Sequence, residues 1–271
     1  MIDFDFFAAT LDCPAEDVIN SLTDQLDMTS SQTCKPRYGY QHGALIRRGS
    51  LKLASAYWGG PNGRADIHVV AVGDESPTVR SALCRIARRL GVELSVTRVD
   101  ARQDIVEPGF FDRAAAVCTE IAQRKGLKIS QVGDWVRGQG RTLYIGSRTS
   151  ETLVRIYEKG CQMQADTDWV RLELEFKPRT RDRRIAASSF TPSDVFSMGI
   201  GSGIFPALGL GSAEGPDLPS ASRPSDTMRA REFLIKQYGR TIERWAREVG
   251  GYSRLAPVLE SQINERRSHH R

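Results

Sequence analysis

Apolar and polar positions alternate in short runs over most of the chain, and switch to helical spacing in a few longer stretches. The run 2–7, Ile-Asp-Phe-Asp-Phe-Phe, reads as an opening strand, and a helix follows over about 14–26, begun by Cys13-Pro14 with Asp12 as candidate cap. Strand-like runs return at about 38–47, 51–58 and 65–72. Ser76-Pro77 opens a second helix over about 76–89. A strand at 92–99, a helix at about 109–125, and strands at 142–147, 152–159 and 168–177 complete the order. This succession predicts an α+β fold, a central antiparallel or mixed sheet with helices packed mainly on one face and further helices at the C-terminus.

Composition changes after residue 190. Pro192, Pro206, Pro216, Pro219 and Pro224 stand among many Gly and Ser residues, so 191–226 reads as a flexible linker. Helical spacing resumes over Met228–Val249, where Phe233, Ile235, Tyr238, Ile242, Trp245 and Val249 lie near one face. Gly250-Gly251 ends that helix, and a shorter one follows at about 254–267. The expected division is therefore a domain at 1–190, a linker at 191–226 and a helical appendage at 227–271.

Charge and cysteine usage narrow the surroundings. The 271 residues carry a formal net charge of +5, with a pI near 9.0, which suits a nucleic-acid partner without requiring one. Arginines cluster at Arg47-Arg48, at Arg88-Arg89 and in Arg179-Thr180-Arg181-Asp182-Arg183-Arg184. The Arg88-Arg89 pair fits a solvated helix face, whereas the last cluster follows a strand directly, where phosphates of a bound strand would run. Five scattered cysteines form no C-x-x-C pair and no zinc spacing, which suits a reducing compartment. Neither a signal peptide nor an apolar run near the roughly 20 residues of a spanning helix is visible, so a soluble, cytoplasmic protein with no membrane partner is expected.

Chemistry concentrates between Arg141 and Pro178. Side chains alternate faces along a strand, so Arg155, Tyr157 and Lys159 share one face, as do Arg171, Glu173, Glu175 and Lys177. If the two segments pair, one sheet face presents a phenol, two carboxylates and several cations. That is equipment for attacking a phosphodiester; the same alternation also suits a solvated sheet face. Aromatic-glycine segments at Tyr38-Gly39-Tyr40 and Tyr57-Trp58-Gly59-Gly60 offer rings for stacking on unpaired bases or for plain packing, and Trp135 is either a lid or an anchor.

The segment Tyr144-Ile145-Gly146-Ser147-Arg148-Thr149-Ser150, then Arg155–Lys159, then Arg171–Lys177, resembles the core of the trans-acting rolling-circle replication initiators of plasmids and filamentous phages. These are related to the relaxases of conjugative elements and to diverged HUH nicking enzymes. Upstream, Arg98-Val99-Asp100 matches the family's R-[LV]-D strand end, and 2–7 is similar to its first strand. The resemblance implies a metal-dependent enzyme that nicks one strand of single-stranded or extruded origin DNA and later rejoins it. Tyr157 would be the nucleophile, leaving a 5′-phosphotyrosyl link and a free 3′-hydroxyl, with Arg155 and Lys159 favouring its phenolate. Mg²⁺ or Mn²⁺ would be held by Asp100 and Glu173, with Glu175 as alternate. Arg148, Arg171, Lys177, Arg179, Arg181, Arg183 and Arg184 are the candidate DNA contacts. A host helicase, a host polymerase and a second protomer are the implied partners, and a bacterial cytoplasm the implied location.

Alternatives stay open at this level. The histidines, His42, His68, His269 and His270, form no His-hydrophobe-His metal pair. Asp100 shares parity with Val92, Leu94 and Val96, which ought to pack inward, so a bulge or the strand end must free its carboxylate. Glu175-Phe176-Lys177 with an upstream aspartate also resembles the D…ExK site of water-attacking nucleases. A conjugative relaxase of the same chemistry, and a non-catalytic origin-binding protein on the same scaffold, are the remaining readings.

Overall fold

The computed structural model describes residues 1–27, 30–60, 65–165, 168–219 and 226–268. The chain divides into two compact units, Met1–Ala221 and Ser222–Arg271. Within the described residues of the first unit the strands are β1 (Ile2–Leu11), β2 (Ser30–Thr33), β3 (His42–Arg48), β4 (Leu51–Trp58) and β5 (Ile67–Val72), then β6 (Leu94–Val106), β7 (Ile129–Asp134), β8 (Gln139–Ile145), β9 (Thr152–Glu158) and β10 (Trp169–Phe176). They form one sheet in the order β2-β3-β4-β5-β1-β6-β10-β9-β8-β7, and every neighbouring pair is antiparallel. The α+β architecture expected from the pattern is the one observed. The strands 30–33 and 129–134 were not expected, because SSQT and ISQVGD carry little apolar alternation; they lie at or near the sheet edges, where burial asks less of a sequence.

Helices cover one face. These are α1 (Ala15–Leu26), α2 (Ser76–Leu90) and α3 (Phe110–Arg124), and after β10 a series of short helices, α5 (Arg181–Ala186), α6 (Pro192–Phe196) and α7 (Gly201–Ile204). Val79, Ala82, Leu83, Ile86 and Ala87 of α2 recur at helical spacing and are all buried. Phe110, Phe111, Ala114, Ala115, Cys118, Ile121 and Ala122 do the same on α3. Gly91 ends α2 in the left-handed conformation at φ 66°, its N–H bonded to the carbonyls of Ala87 and Arg88. Two expected caps fail: Ser76 lies inside its helix, fully buried behind a 3₁₀ turn at Gly73–Glu75, and Asp12 makes no cap bond to α1, whose flanking residue is Pro14.

The stretch expected as a linker is largely built into this unit. A capping box between Thr191 and Asp194 starts α6. Phe196 and Phe205 stack at 3.7 Å between ring centroids and are buried in the main core. Gly201 permits that approach, since a Cβ there would lie 2.3 Å from Leu174 Cδ1 and 2.4 Å from the Phe196 carbonyl oxygen. Proline and glycine were read as flexibility, whereas here they start short helices and let them close on the sheet.

Two register shifts in the central pair β1–β6 position the other face. Ala8 pairs with Arg98 but Ala9 with Val96, so Thr97 is an extra residue in β6. Its hydroxyl donates to the Ala8 carbonyl at 3.1 Å. Before this bulge Leu94 and Val96 enter the helix-covered core; after it Val99 and Ala101 do. Arg98, Asp100, Arg102 and Asp104 are thereby turned to the open face. A second shift makes Asp5 the extra residue of β1, with Phe4 and Phe7 on either side both in the core.

In the second unit, α8 (Asp226–Val249) and α9 (Tyr252–Ser268) pack on each other, with Ala246 and Leu255 buried. Phe233, Ile235 and Tyr238, expected to lie on an apolar face, are exposed. Among the described residues no helix is long and apolar enough to cross a membrane.

Candidate active site

The site grows from three adjacent strands. Arg171 of β10 pairs with Tyr157 of β9 on one side and Asp104 of β6 on the other; Glu173 lies between Arg155 and Arg102, and Glu175 between Leu153 and Asp100. Strand alternation then sends all the polar members to the open face. The Thr97 bulge is what brings Asp100 into this set, resolving the conflict in its parity.

Tyr157 is buried, and its hydroxyl donates to Glu173 Oε1 at 2.8 Å. Arg155 donates to the other carboxylate oxygen of Glu173, and its guanidinium carbon lies 4.5 Å from the Tyr157 ring centroid. Burial, then the charge and hydrogen bond of Glu173, raise the Tyr157 pKa above the usual phenol value, against the opposing pull of Arg155 and Arg171. Arg155 does favour the phenolate, as expected, but burial and Glu173 outweigh it. The resting group is a phenol whose proton is already directed at a carboxylate. Lys159 stands off the strand as the first residue of the short helix α4 (Lys159–Met163); its Nζ bonds Gln162 Oε1 at 2.9 Å and lies 5.8 Å from the Tyr157 ring centroid.

Beside this pair is a small cavity of about 100 Å³ lined by Arg98, Asp100, Tyr144, Arg148, Leu153, Arg155, Glu173 and Glu175. All three carboxylates proposed for a metal reach it. Arg98 grips Asp100 with Nε at 2.9 Å and Nη2 at 2.5 Å, and the same Nη2 reaches Glu175 Oε2 at 2.8 Å. Burial pushes Asp100 up to about 7 against the pull of Arg98, with the charges of Glu175 and Glu173 adding to the rise. Once ionised, three carboxylates around one cavity offer the oxygen donors that a hard divalent cation prefers. Their present spacing does not form a ligand cluster: among the described residues no three His, Cys, Asp or Glu side chains group closely enough to hold an ion. The guanidinium of Arg98 bridges Asp100 and Glu175 instead.

The arginines separate into two kinds. Arg171 is buried, bidentate to Asp104 at 2.7 and 2.8 Å and bonded to Asp5 at 3.2 Å; Arg102 shares Asp5 at 2.7 Å. Arg171 is therefore a lattice member, not a free phosphate contact, which corrects its expected role. Arg183 is likewise largely enclosed, paired with Glu151. Lys177 bonds Glu175 Oε1 at 2.5 Å and the Arg148 carbonyl at 2.6 Å, so it is committed to the lattice rather than poised over a water. Arg148 is exposed, with its guanidinium over the Tyr144 ring at 5.1 Å. Arg179 donates to the Thr149 carbonyl, Arg184 to the Pro178 carbonyl at 3.1 Å, and Arg181 pairs with Glu93 at 2.5 Å with its side chain 75% exposed. Arg148, Arg179 and Arg181 are the members of the predicted set that face solvent. Trp135 is an anchor: its indole bonds the Val132 carbonyl at 3.0 Å and packs against Phe111.

Residues the sequence reading did not place in the site are Arg98, Asp5, Arg102, Asp104 and Tyr144. A signal existed for Arg98, two residues before Asp100 in the quoted Arg98-Val99-Asp100. Asp5 and Asp104 could be found only through the bulges.

Residues 96–194 match the family model described as replication initiation factor. That stretch holds Tyr157, Glu173, Asp100 and all the other predicted site residues. Among solved structures, the rolling circle replication initiator protein from Geobacillus stearothermophilus is similar at 21% identity and TM-score 0.53, over 76% of this chain and 85% of that one. The regulatory subunit of aspartate kinase from Thermus flavus aligns at 12% identity over 69% of this chain and 93% of that one, with a TM-score of 0.20 that bears no weight. No curated protein matches by sequence. The initiator resemblance read from Arg155–Lys159 and Arg171–Lys177 is thus supported twice over, by the family match across the site and by a shared fold.

Proposed function

We propose that this chain starts rolling-circle replication by nicking one strand of its origin DNA through Tyr157 and later rejoining it. The observation that carries the reading is the Tyr157 hydroxyl aimed at Glu173 beside a cavity lined by carboxylates and arginines. A general base must lie within about 2.6–3.2 Å of the proton it takes, and Glu173 meets that. As the phenol loses its proton to Glu173, the oxygen forms a bond to the scissile phosphorus. The bond from phosphorus to the 3′-oxygen breaks, and the leaving oxygen takes up a proton as a free 3′-hydroxyl. Arg155 fixes Glu173, and the exposed Arg148 at the cavity offers charge to the phosphoryl oxygens. A divalent cation would have to displace Arg98 to be held by Asp100 and Glu175, and bound there it would supply Lewis-acid polarisation of a phosphoryl oxygen. The phosphotyrosyl bond conserves the energy of the broken link, so the reverse reaction closes the circle. A host polymerase extends the 3′-hydroxyl, and a host helicase and a second protomer are the partners to test.

The experiment is cleavage of single-stranded oligonucleotides tiling the element that encodes the chain, with Mg²⁺ or Mn²⁺, read by denaturing gel and peptide mass. A covalent adduct on Tyr157 is expected, with nicking reduced by at least about a thousandfold in Tyr157→Phe while DNA binding persists. Cleavage without an adduct, intact in Tyr157→Phe, supports a water-attacking nuclease at Glu175 and Lys177. Binding with no cleavage under either metal supports an origin-binding regulator.

A further inference from the structure

A second cavity, of about 690 Å³, lies on the same open face across β6 from the carboxylates. Its volume is in the range of small-molecule pockets, roughly 300–1,000 Å³. Phe6, Tyr38, Tyr40 and His68 supply rings, Thr10, Ser95 and Thr97 supply hydroxyls, and Arg98, Lys177, Arg181 and Arg184 supply cations. Arg98 lines both this cavity and the small one beside Tyr157, and Lys177, bonded to Glu175, lines the larger.

The rings form an ordered wall. His68 lies parallel to Tyr40 at 6.1 Å with 7° between planes, and edge-on to Tyr38 at 5.0 Å. Tyr38 also meets Tyr57 edge-on at 5.4 Å, yet it is 61% exposed. Its backbone is left-handed at φ 58°, a conformation that costs a non-glycine residue roughly 1–2 kcal/mol. The turn Arg37–Tyr40 imposes that conformation, with Gly39 also at positive φ and the Tyr40 N–H bonded to the Arg37 carbonyl at 3.1 Å, and it holds the exposed ring at the cavity. His68 is pushed down to about 4 by burial, so it presents an uncharged ring at neutral pH. Carboxylates of Asp12, Asp66 and Glu93 also line the cavity, which disfavours a phosphate inside it and leaves the backbone to the cations.

We propose that this cavity is a nucleobase pocket. One unpaired base of the bound single strand stacks against Tyr38 beside the Tyr40–His68 pair, and the exposed Arg181 at the cavity takes its phosphates. The proposal deepens the nicking assignment and rests on the strand crossing that site. Stacking against an aromatic side chain contributes about 1–3 kcal/mol per base and tolerates any base.

The test compares the full chain binding oligo(dT) with a strand of equal length and charge made of abasic units, by fluorescence anisotropy at fixed salt. Wild type should prefer oligo(dT) by roughly tenfold, a value inside the stacking range. Tyr38→Gly removes the ring and the strain together, so the fold is kept; it should lose most of the preference while binding the abasic strand as before. Tyr38→Trp should retain the preference. An oligonucleotide carrying 5-iododeoxyuridine should crosslink under light to the tryptic peptide 38–47. Equal binding of oligo(dT) by wild type and Tyr38→Gly, or equal losses for both strands, overturns the pocket. Tyr157→Phe keeps the base preference if the pocket is real, so a chain that stacks bases but never nicks refutes the catalytic assignment alone. A chain that nicks but shows no base preference refutes the pocket alone.

Discussion

On one side of Arg98 the open face of the sheet is a tight ionic lattice, and on the other it is a roomy aromatic cleft. Around Tyr157, Arg155, Arg171, Glu173 and Asp104 hold one another at hydrogen-bond distance, leaving about 100 Å³ of space. Around His68 rings and hydroxyls stand among four cations and three carboxylates about a space of some 690 Å³. In the proposed reaction the first arrangement fixes the nucleophile and its base before substrate arrives, as electrostatic catalysis requires. It also consumes the arginines: those closest to Tyr157 neutralise carboxylates and are not free to hold phosphates. The second leaves room for a ligand between its charged rim and its rings. Position of a cation on the catalytic face is therefore a poor guide to whether it touches DNA.

Four substitutions probe that contrast, from the strongest effect to the weakest. Glu173→Gln removes the proton acceptor of Tyr157, and nicking should fall by about 10²–10⁴-fold, measured as initial rate on an origin oligonucleotide. The same change should bring the Tyr157 pKa down, because the charge of Glu173 helps to raise it. Arg171→Met leaves Asp104 without its arginine while Asp5 keeps Arg102, and should cost roughly 2–4 kcal/mol, less than a fully buried pair because Asp104 is partly solvated. The urea midpoint at constant slope measures it; a large drop in DNA affinity with unchanged stability would restore Arg171 as a phosphate contact.

On the aromatic side the expected effect is on pH dependence. His68 titrates near 6.5 unfolded and about 4 folded, facing Thr10, Tyr38, Tyr40 and Asp66. The unfolded chain thus binds the extra proton first as pH falls. His68 adds its full stability above pH 6.5 and loses it between 6.5 and about 4, up to roughly 3 kcal/mol. His68→Gln should flatten that part of the stability curve; an unchanged curve would mean that the ring is not held neutral. Arg181→Ala is the mildest. Its pair with half-exposed Glu93 is surface chemistry, so stability should move by less than about 0.5 kcal/mol. DNA affinity should fall a few-fold and the salt slope by about one.

Much of this was legible in the chain. Alternation in Arg155–Lys159 and Arg171–Lys177 put Tyr157, Arg155, Glu173 and Glu175 on one face, and the register confirms that Arg155 and Glu173 are partners. Ser76-Pro77 marked the start of a helix, and its Val79, Leu83 and Ile86 are buried against the opposite face. The segment 192–208 was misread because proline and glycine mark turns and tight packing alike, and only the neighbouring Leu174 and Phe205 distinguish them. The strain at Tyr38 was equally silent, since a tyrosine in the left-handed region carries no sequence mark.

The sequence by itself determined the periodicities, the amphipathic helices and the residue types of the nucleophile and its companions, because these are properties of short segments. Tertiary structure decided which face Asp100 occupies, which arginines are spent in ion pairs, and that Arg98 joins the two cavities. Asp100 turns to the open face through a bulge fixed by a hydrogen bond from Thr97 to Ala8, 89 residues earlier in the chain. A register between strands so distant is set by the fit of their whole faces, and no local pattern encodes it.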